Sequence, residues 1–206
     1  MKFSDVIGHE EVKERLRQMV STGRIPHALL FSGRAGLGKM QMARAFAQYL
    51  ACENPADGDS CGRCPACRQA AALNFPDIQY VFPIIRRKAD KKEICDDFLP
   101  EWRSFLADFP YMPYNRWMDA VNAGNSQLTI YVTESARILH HLSLSTFSAR
   151  YKVCIIWLPE RMNADTSNKL LKIIEEPFPD TIFLLVSNEP GKILPTIFSR
   201  TQQINF

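Results

Sequence analysis

Gly33-Arg34-Ala35-Gly36-Leu37-Gly38-Lys39-Met40 follows the phosphate-loop pattern G-x-x-x-x-G-K-[ST] through its lysine and departs from it at the last residue. In such a loop the glycines let backbone N–H groups curl around phosphate oxygens. The lysine brings a point charge to the β- and γ-phosphates. The final hydroxyl holds Mg²⁺. Met40 has a thioether there, a soft donor with little affinity for a hard cation. Just before the loop, Ala28-Leu29-Leu30-Phe31 reads as a short buried strand. After it, Ala43, Phe46, Ala47 and Leu50 repeat at i, i+3, i+4, i+7. Strand, glycine loop and helix are the context the motif requires, because phosphate sits on the free N–H groups of a helix N-terminus. The stretch reads as a nucleotide cradle that has lost its metal ligand.

The same reading extends outward. Val12, Leu16, Met19 and Val20 predict a helix over 9–20, closed near Gly23. Apolar runs at 78–85, 151–158 and 181–186 predict further strands. Ser135 to Leu144 and Asn163 to Glu176 predict helices, the second ended by Pro177. Strands apolar on both faces, alternating with helices, predict an α/β fold: a parallel sheet covered by helices on both faces. In the middle, Phe98, Trp102, Phe105, Leu106 and Phe109 can share one helical face. Tyr114, Trp117, Met118 and Val121 can share another.

At 206 residues the chain can bury one good core with a small appendage. Its composition is 46% hydrophobic and 23% charged, ordinary for a globular protein. A net charge of +3 is too small to argue for nucleic acid by itself. No apolar run reaches membrane-spanning length. The N-terminus, Met1-Lys2-Phe3-Ser4-Asp5, lacks signal-peptide features. A cytoplasmic protein with no membrane partner is expected.

Cys52, Cys61, Cys64 and Cys67 are spaced C-x8-C-x2-C-x2-C. Four thiolates so arranged suit tetrahedral Zn²⁺, with Gly58, Gly62 and Pro65 supplying turns. Reduced surface thiols, an iron–sulfur cluster, or disulfides in a secreted protein are the alternatives. With no spare ligand in view, a structural role is expected. Cys95 and Cys154 lie outside the cluster, and Cys154, in an apolar strand, reads as core.

A phosphate-loop ATPase also needs acids at the end of a second strand to hold Mg²⁺ and orient water. Val153-Cys154-Ile155-Ile156 ends instead in Trp157-Leu158-Pro159-Glu160. Neither tryptophan nor leucine binds a metal or accepts a proton, and Glu160 reads as a helix-start carboxylate. Two separate parts of the metal machinery are missing, so loss of hydrolysis is expected.

Ile25-Pro26-His27-Ala28-Leu29-Leu30-Phe31-Ser32-Gly33, the glycine loop, the four cysteines, Asn168-Lys169-Leu170-Leu171-Lys172-Ile173-Ile174-Glu175-Glu176-Pro177 and Leu194-Pro195-Thr196-Ile197-Phe198-Ser199-Arg200 together resemble the AAA+ subunits of bacterial clamp loaders. These pieces run from near the N-terminus to residue 200. The family includes the ATP-hydrolysing gamma/tau type and the delta-prime type of DNA polymerase III. Gamma/tau carries Ser or Thr in place of Met40, and Asp-Glu in place of Trp157 and Leu158. The decay of both, with Ser199-Arg200 kept, resembles delta-prime.

The resemblance implies an AAA+ domain over 1–206 with a zinc module at 52–67 inside it. It implies a stator in a hetero-pentamer with gamma/tau and delta, acting on the sliding clamp and primed DNA in DNA replication. It implies that Arg200 is an arginine finger for a neighbour's ATP site and that Ser187 stands at the sensor position. Gly33, Gly36, Gly38 and Lys39 could still take ATP or ADP weakly, and Mg²⁺ is not expected. Thr201 stands where many relatives have cysteine. The span 86–128 has no counterpart in the family and is read as a helical insertion. Its basic run, Arg86, Arg87, Lys88, Lys91 and Lys92, is either a docking surface or a solvated loop beside two packed helices. The lid and collar domains of the family are expected to be absent from this chain. An active gamma/tau-type ATPase, a zinc-dependent nucleic-acid-binding module on a P-loop fold, and a repair or checkpoint loader are the alternative readings.

Overall fold

The computed structural model describes residues 1–87 and 91–206. Among these, five strands form one parallel sheet: β1 (Ala28–Ser32), β2 (Ile78–Val81), β3 (Lys152–Trp157), β4 (Thr181–Ser187) and β5 (Gln202–Asn205), in the order β2-β3-β4-β1-β5. Residues of β1 to β4 are buried throughout, as strands covered on both faces must be. β5 is half exposed at the sheet edge and had no apolar run to announce it. The expected strand at 78–85 is shorter than its apolar run. Pro83 cannot donate to a ladder, and only Ile84 resumes pairing, antiparallel with Thr129.

The helices are α1 (Glu10–Ser21), α2 (Lys39–Ala51), α3 (Pro65–Ala71), α4 (Leu99–Asp108), α5 (Tyr114–Ala120), α6 (Val132–Ser143), α7 (Ala164–Glu175) and the single turn α8 (Pro195–Phe198). α1 closes as expected, with the Gly23 and Arg24 N–H groups returning to the Val20 and Met19 carbonyls. α7 opens on Asn163, whose side chain accepts the Thr166 N–H at 2.8 Å. Pro65 does not make a turn. It is the first residue of α3, where a missing N–H costs nothing, and Cys64 is the cap.

The route from β1 to β2 crosses the sheet in one direction, while β2→β3, β3→β4 and β4→β5 run the other way. Right-handed crossovers therefore put α2 on one face and α6 and α7 on the opposite face. α1 and α3 pack on α2, and α6 packs on α7. The chain leaves β1 and β4, which are neighbours, in opposite directions. The crevice beyond their C-terminal ends is where an open parallel sheet binds ligands.

Within the span 86–128, α4 and α5 pack on the sheet as part of the main core. Trp102 and Trp117 are fully buried. Phe82 stacks on Trp102 at 4.1 Å, and the Trp117 indole N–H donates to the Pro83 carbonyl at 2.8 Å. A buried pair ties this span to α6: the Cys95 N–H donates to Glu134 at 2.6 Å, and Arg137 pairs with Glu134 at 2.7 Å and Asp96 at 2.8 Å. Within the basic run, Arg86 lies 4.2 Å over the Tyr131 ring, and Lys92 pairs with Glu101 at 2.6 Å and covers Phe98. These cations serve the domain's own packing. Lys88 lies outside the described residues.

Candidate functional site: a closed phosphate loop

The glycine loop lies in the crevice beyond β1. Gly33 has φ +149°, and a side chain there would meet the Phe206 carbonyl oxygen at 3.0 Å. Gly38 caps α2 at φ +77°, a left-handed conformation that favours glycine. Lys39 is buried and turned back on the loop, donating to the Gly33 carbonyl at 2.8 Å and the Arg34 carbonyl at 2.5 Å. Burial lowers its amine to about 8, partly opposed by the nearby Glu160 carboxylate. Gly33, Gly36, Gly38 and Lys39 are thus together, as the sequence pattern requires.

The crevice beside the loop is narrow. Met40 is buried in the first turn of α2. Across from it stand Trp157, at the end of β3, and Pro110-Tyr111-Met112 from the link between α4 and α5. The cavity left among them is about 20 Å³, room for a single water. No pattern along the chain marks residues 110–112 as neighbours of residues 36–40. Trp157 does carry a signal, since an aromatic at a strand end has to be covered.

Leu158 is buried and takes φ +56°, a left-handed conformation rare for leucine, with its N–H donating to the Val186 carbonyl at 2.8 Å. Glu160 stands in the first turn of a helical segment, as expected, though a short one. It lies in the single turn Pro159–Arg161 and accepts the N–H groups of Asn188 at 2.9 Å and Glu189 at 3.2 Å, holding the loop after β4. Ser187 is fully buried at the end of β4, and its hydroxyl accepts the Glu189 N–H at 3.1 Å.

Arg200 lies in the turn between α8 and β5, and no contact joins it to the residues that line this crevice among those described. Its side chain is 42% exposed, and its guanidinium pairs with Glu175, the last residue of α7, at 2.7 Å. It also donates to the Thr196 carbonyl at 3.1 Å.

The Sγ atoms of Cys52, Cys61, Cys64 and Cys67 all lie within 4.8 Å of one another. Cys61 and Cys67 are 3.9 Å apart, close to the ~3.8 Å edge of a tetrahedron with zinc–sulfur bonds near 2.3 Å. Backbone N–H groups converge on the sulfurs: Cys61 on Cys52 at 3.2 Å, Cys64 on Cys61 at 3.3 Å and Cys67 on Cys64 at 3.4 Å. Such donors stabilise thiolate, and those of Arg63 and Cys64 lower the Cys61 thiol to about 6, while burial without a metal ion raises the thiols of Cys52 and Cys67. The donor set fits a metal ion. Cys95 and Cys154 are buried elsewhere in the core. Next to the cluster, Asp59 accepts the N–H groups of Phe3 at 2.9 Å and Ser4 at 3.0 Å, fastening residues 3–4 to it.

Among the described residues, no helix is long and apolar enough to cross a membrane.

Residues 8–206 match the model of the family described as DNA polymerase III, delta subunit. DNA polymerase III subunit tau of Escherichia coli is 30% identical over 203 residues, 98% of this chain and 25% of tau. Subunit delta' of Pseudomonas aeruginosa is 31% identical over 177 residues, 86% of this chain and 42% of delta'. The chain thus spans a quarter to about two fifths of the length of these relatives. By fold, it is similar to a gamma subunit-related protein of Thermotoga maritima, with a TM-score of 0.54 at 14% identity, covering 94% of this chain and 45% of that one. The RuvB Holliday junction branch migration motor of the same organism gives 0.52 at 17% identity, covering 99% and 47%. The fold is that of an AAA+ P-loop domain.

Proposed function

The chain belongs to the family of DNA polymerase III clamp-loader subunits, and on that premise we propose that it is of the delta-prime type: a stator that hydrolyses no ATP and lends Arg200 to a neighbour. One observation carries the reading. Both positions that would hold the catalytic cation, Met40 and Trp157, are apolar and buried, and with Tyr111 and Met112 they leave about 20 Å³ where phosphates and Mg²⁺ would have to fit. A phosphoryl-transfer site works by positioning charge around a metal ion. This crevice offers it a thioether, an indole and a lysine bound to its own loop.

Identity alone does not separate the types, since tau and delta' relatives are equally similar. The active gamma/tau reading draws on that similarity, but the residues at the crevice speak against it. For the four cysteines, the converging sulfurs favour a structural Zn²⁺ site over unliganded thiols. Residues 52–67 then form a zinc module and 86–128 an insertion within the AAA+ domain. The partners in this reading are the gamma/tau and delta subunits of a cytoplasmic hetero-pentamer. Through the assembly they are the sliding clamp and primed DNA.

Arg200 is always charged and planar, matched to phosphate oxygens, and exposed enough to be offered across an interface. The test is a loader reconstituted with the full-length subunit carrying Arg200→Ala. Its ATPase should fall by about 10³-fold at the site served, the scale on which fingers act. Unchanged turnover and clamp loading would remove the finger assignment.

A further inference from the structure

We propose that Glu175 is a positioning residue for Arg200, orienting its guanidinium before a neighbour's triphosphate arrives. This rests on the reading of Arg200 as a finger. The Glu175 carboxylate holds Nη2 of Arg200 at 2.7 Å, and the Thr196 carbonyl holds Nη1 at 3.1 Å. The two contacts come from different elements, α7 and α8, which pack together. They engage one hydrogen on each terminal nitrogen. A guanidinium has five N–H donors, so the rest of the fork can face phosphate oxygens while these contacts persist.

The place of Glu175 argues that its carboxylate serves the arginine and not the helix. It is the last residue of α7, where the helix dipole disfavours negative charge, and Glu176 follows it. Arg200 offsets that cost only if it stays close. Both side chains are partly exposed, 42% for Arg200 and 38% for Glu175. The pair is therefore weak enough for the guanidinium to adjust to an incoming phosphate. A long flexible side chain ordered in advance loses less freedom on binding, and this ordering is the contribution assigned to Glu175.

The experiment measures steady-state ATPase of the reconstituted loader with the full-length subunit. Glu175→Ala should lower kcat about two- to fivefold, the worth of one half-exposed ion pair, with KM unchanged. Glu175→Gln keeps an acceptor oxygen and should recover part of the loss. In the Arg200→Ala background, Glu175→Ala should do nothing more. An equal loss in both backgrounds would mean that the effect is one of α7 stability and would overturn the proposal. So would full kcat in Glu175→Ala beside a depressed Arg200→Ala, which leaves the finger reading standing. If Arg200→Ala itself keeps full activity, the finger reading falls first and this inference with it.

Discussion

The ring centroids of Trp157 and Trp102 are 5.4 Å apart. Trp157 ends β3, where a phosphate-loop ATPase keeps an acid, and Trp102 sits on α4. The same indole also packs on Phe105 at 5.8 Å and Tyr114 at 6.4 Å. One side chain thus withholds a metal ligand and seats α4 and α5 beside the crevice. The missing ligand and the packing of the 86–128 span are linked through a single position.

Trp157→Ala should destabilise the protein by about 3–5 kcal/mol, the cost of emptying a fully buried aromatic site. Urea denaturation followed by tryptophan fluorescence measures it, because the remaining indoles of Trp102 and Trp117 lie at the same contact. Trp157→Phe should cost less than half as much. A loss below about 1 kcal/mol for the alanine variant would show that α4 and α5 do not depend on this seat.

Met40→Ser restores the hydroxyl that the loop pattern lacks. It should not restore magnesium-dependent nucleotide binding. The strand-end acid is still absent, and Tyr111 and Met112 still crowd the same space. Calorimetric titration of ATP with and without Mg²⁺ decides the matter. A tenfold or greater gain in affinity on adding the metal, about 1.4 kcal/mol, would show that the crevice opens more readily than its packing indicates.

Much of this was legible because apolar periodicity and the glycine loop state local structure directly. The extents of α1, α7 and β1 follow from side-chain spacing to within a residue or so, and α2 from its apolar stripe, whereas α6 starts at Val132, three residues before its expected start at Ser135. Met40 and Trp157 could be recognised as defects because the chemistry they should perform is specific. Three things were not legible. β5 has exposed Gln202 and a half-buried Gln203, and its pairing is decided by the neighbour β1. α3 was hidden by Pro65 and two glycines, which read as turns until Cys64 is seen as a cap. The approach of Tyr111 and Met112 to the loop depends on contacts between distant segments, which no local pattern encodes. The ion pair of Arg200 with Glu175 belongs to the same class.

Zinc analysis of the protein should find about one equivalent per chain, bound by the four converging sulfurs. Cys64→Ser should lose it and lower stability by about 3 kcal/mol or more, because an ion that binds only the folded state stabilises it. Residues 3–4 should loosen together with the cluster, since Asp59 joins them. Hydrogen exchange at Phe3 and Ser4 reports this locally. Protection unchanged in a zinc-free variant would separate the N-terminal clip from the metal site.

Lys39 gives the stability a pH dependence of definite sign. Burial lowers the amine in the folded state from 10.5 to about 8. At neutral pH the folded protein therefore carries a charge that it would hold more easily unfolded. As pH rises through 8, the folded state sheds this proton while the unfolded chain keeps it up to 10.5, so the unfolded state binds more protons and the group's contribution to stability rises across that window. Lys39→Met removes the titration. The free-energy difference between wild type and variant should shift in favour of wild type by about 1–2 kcal/mol from roughly pH 7 to pH 9.5. Denaturant midpoints at both pH values measure it, and taking the difference cancels the titration of other groups common to both proteins. A shift in the opposite direction would mean that the amine is held as a cation by its loop carbonyls and Glu160. The cradle would then be poised for an anion after all.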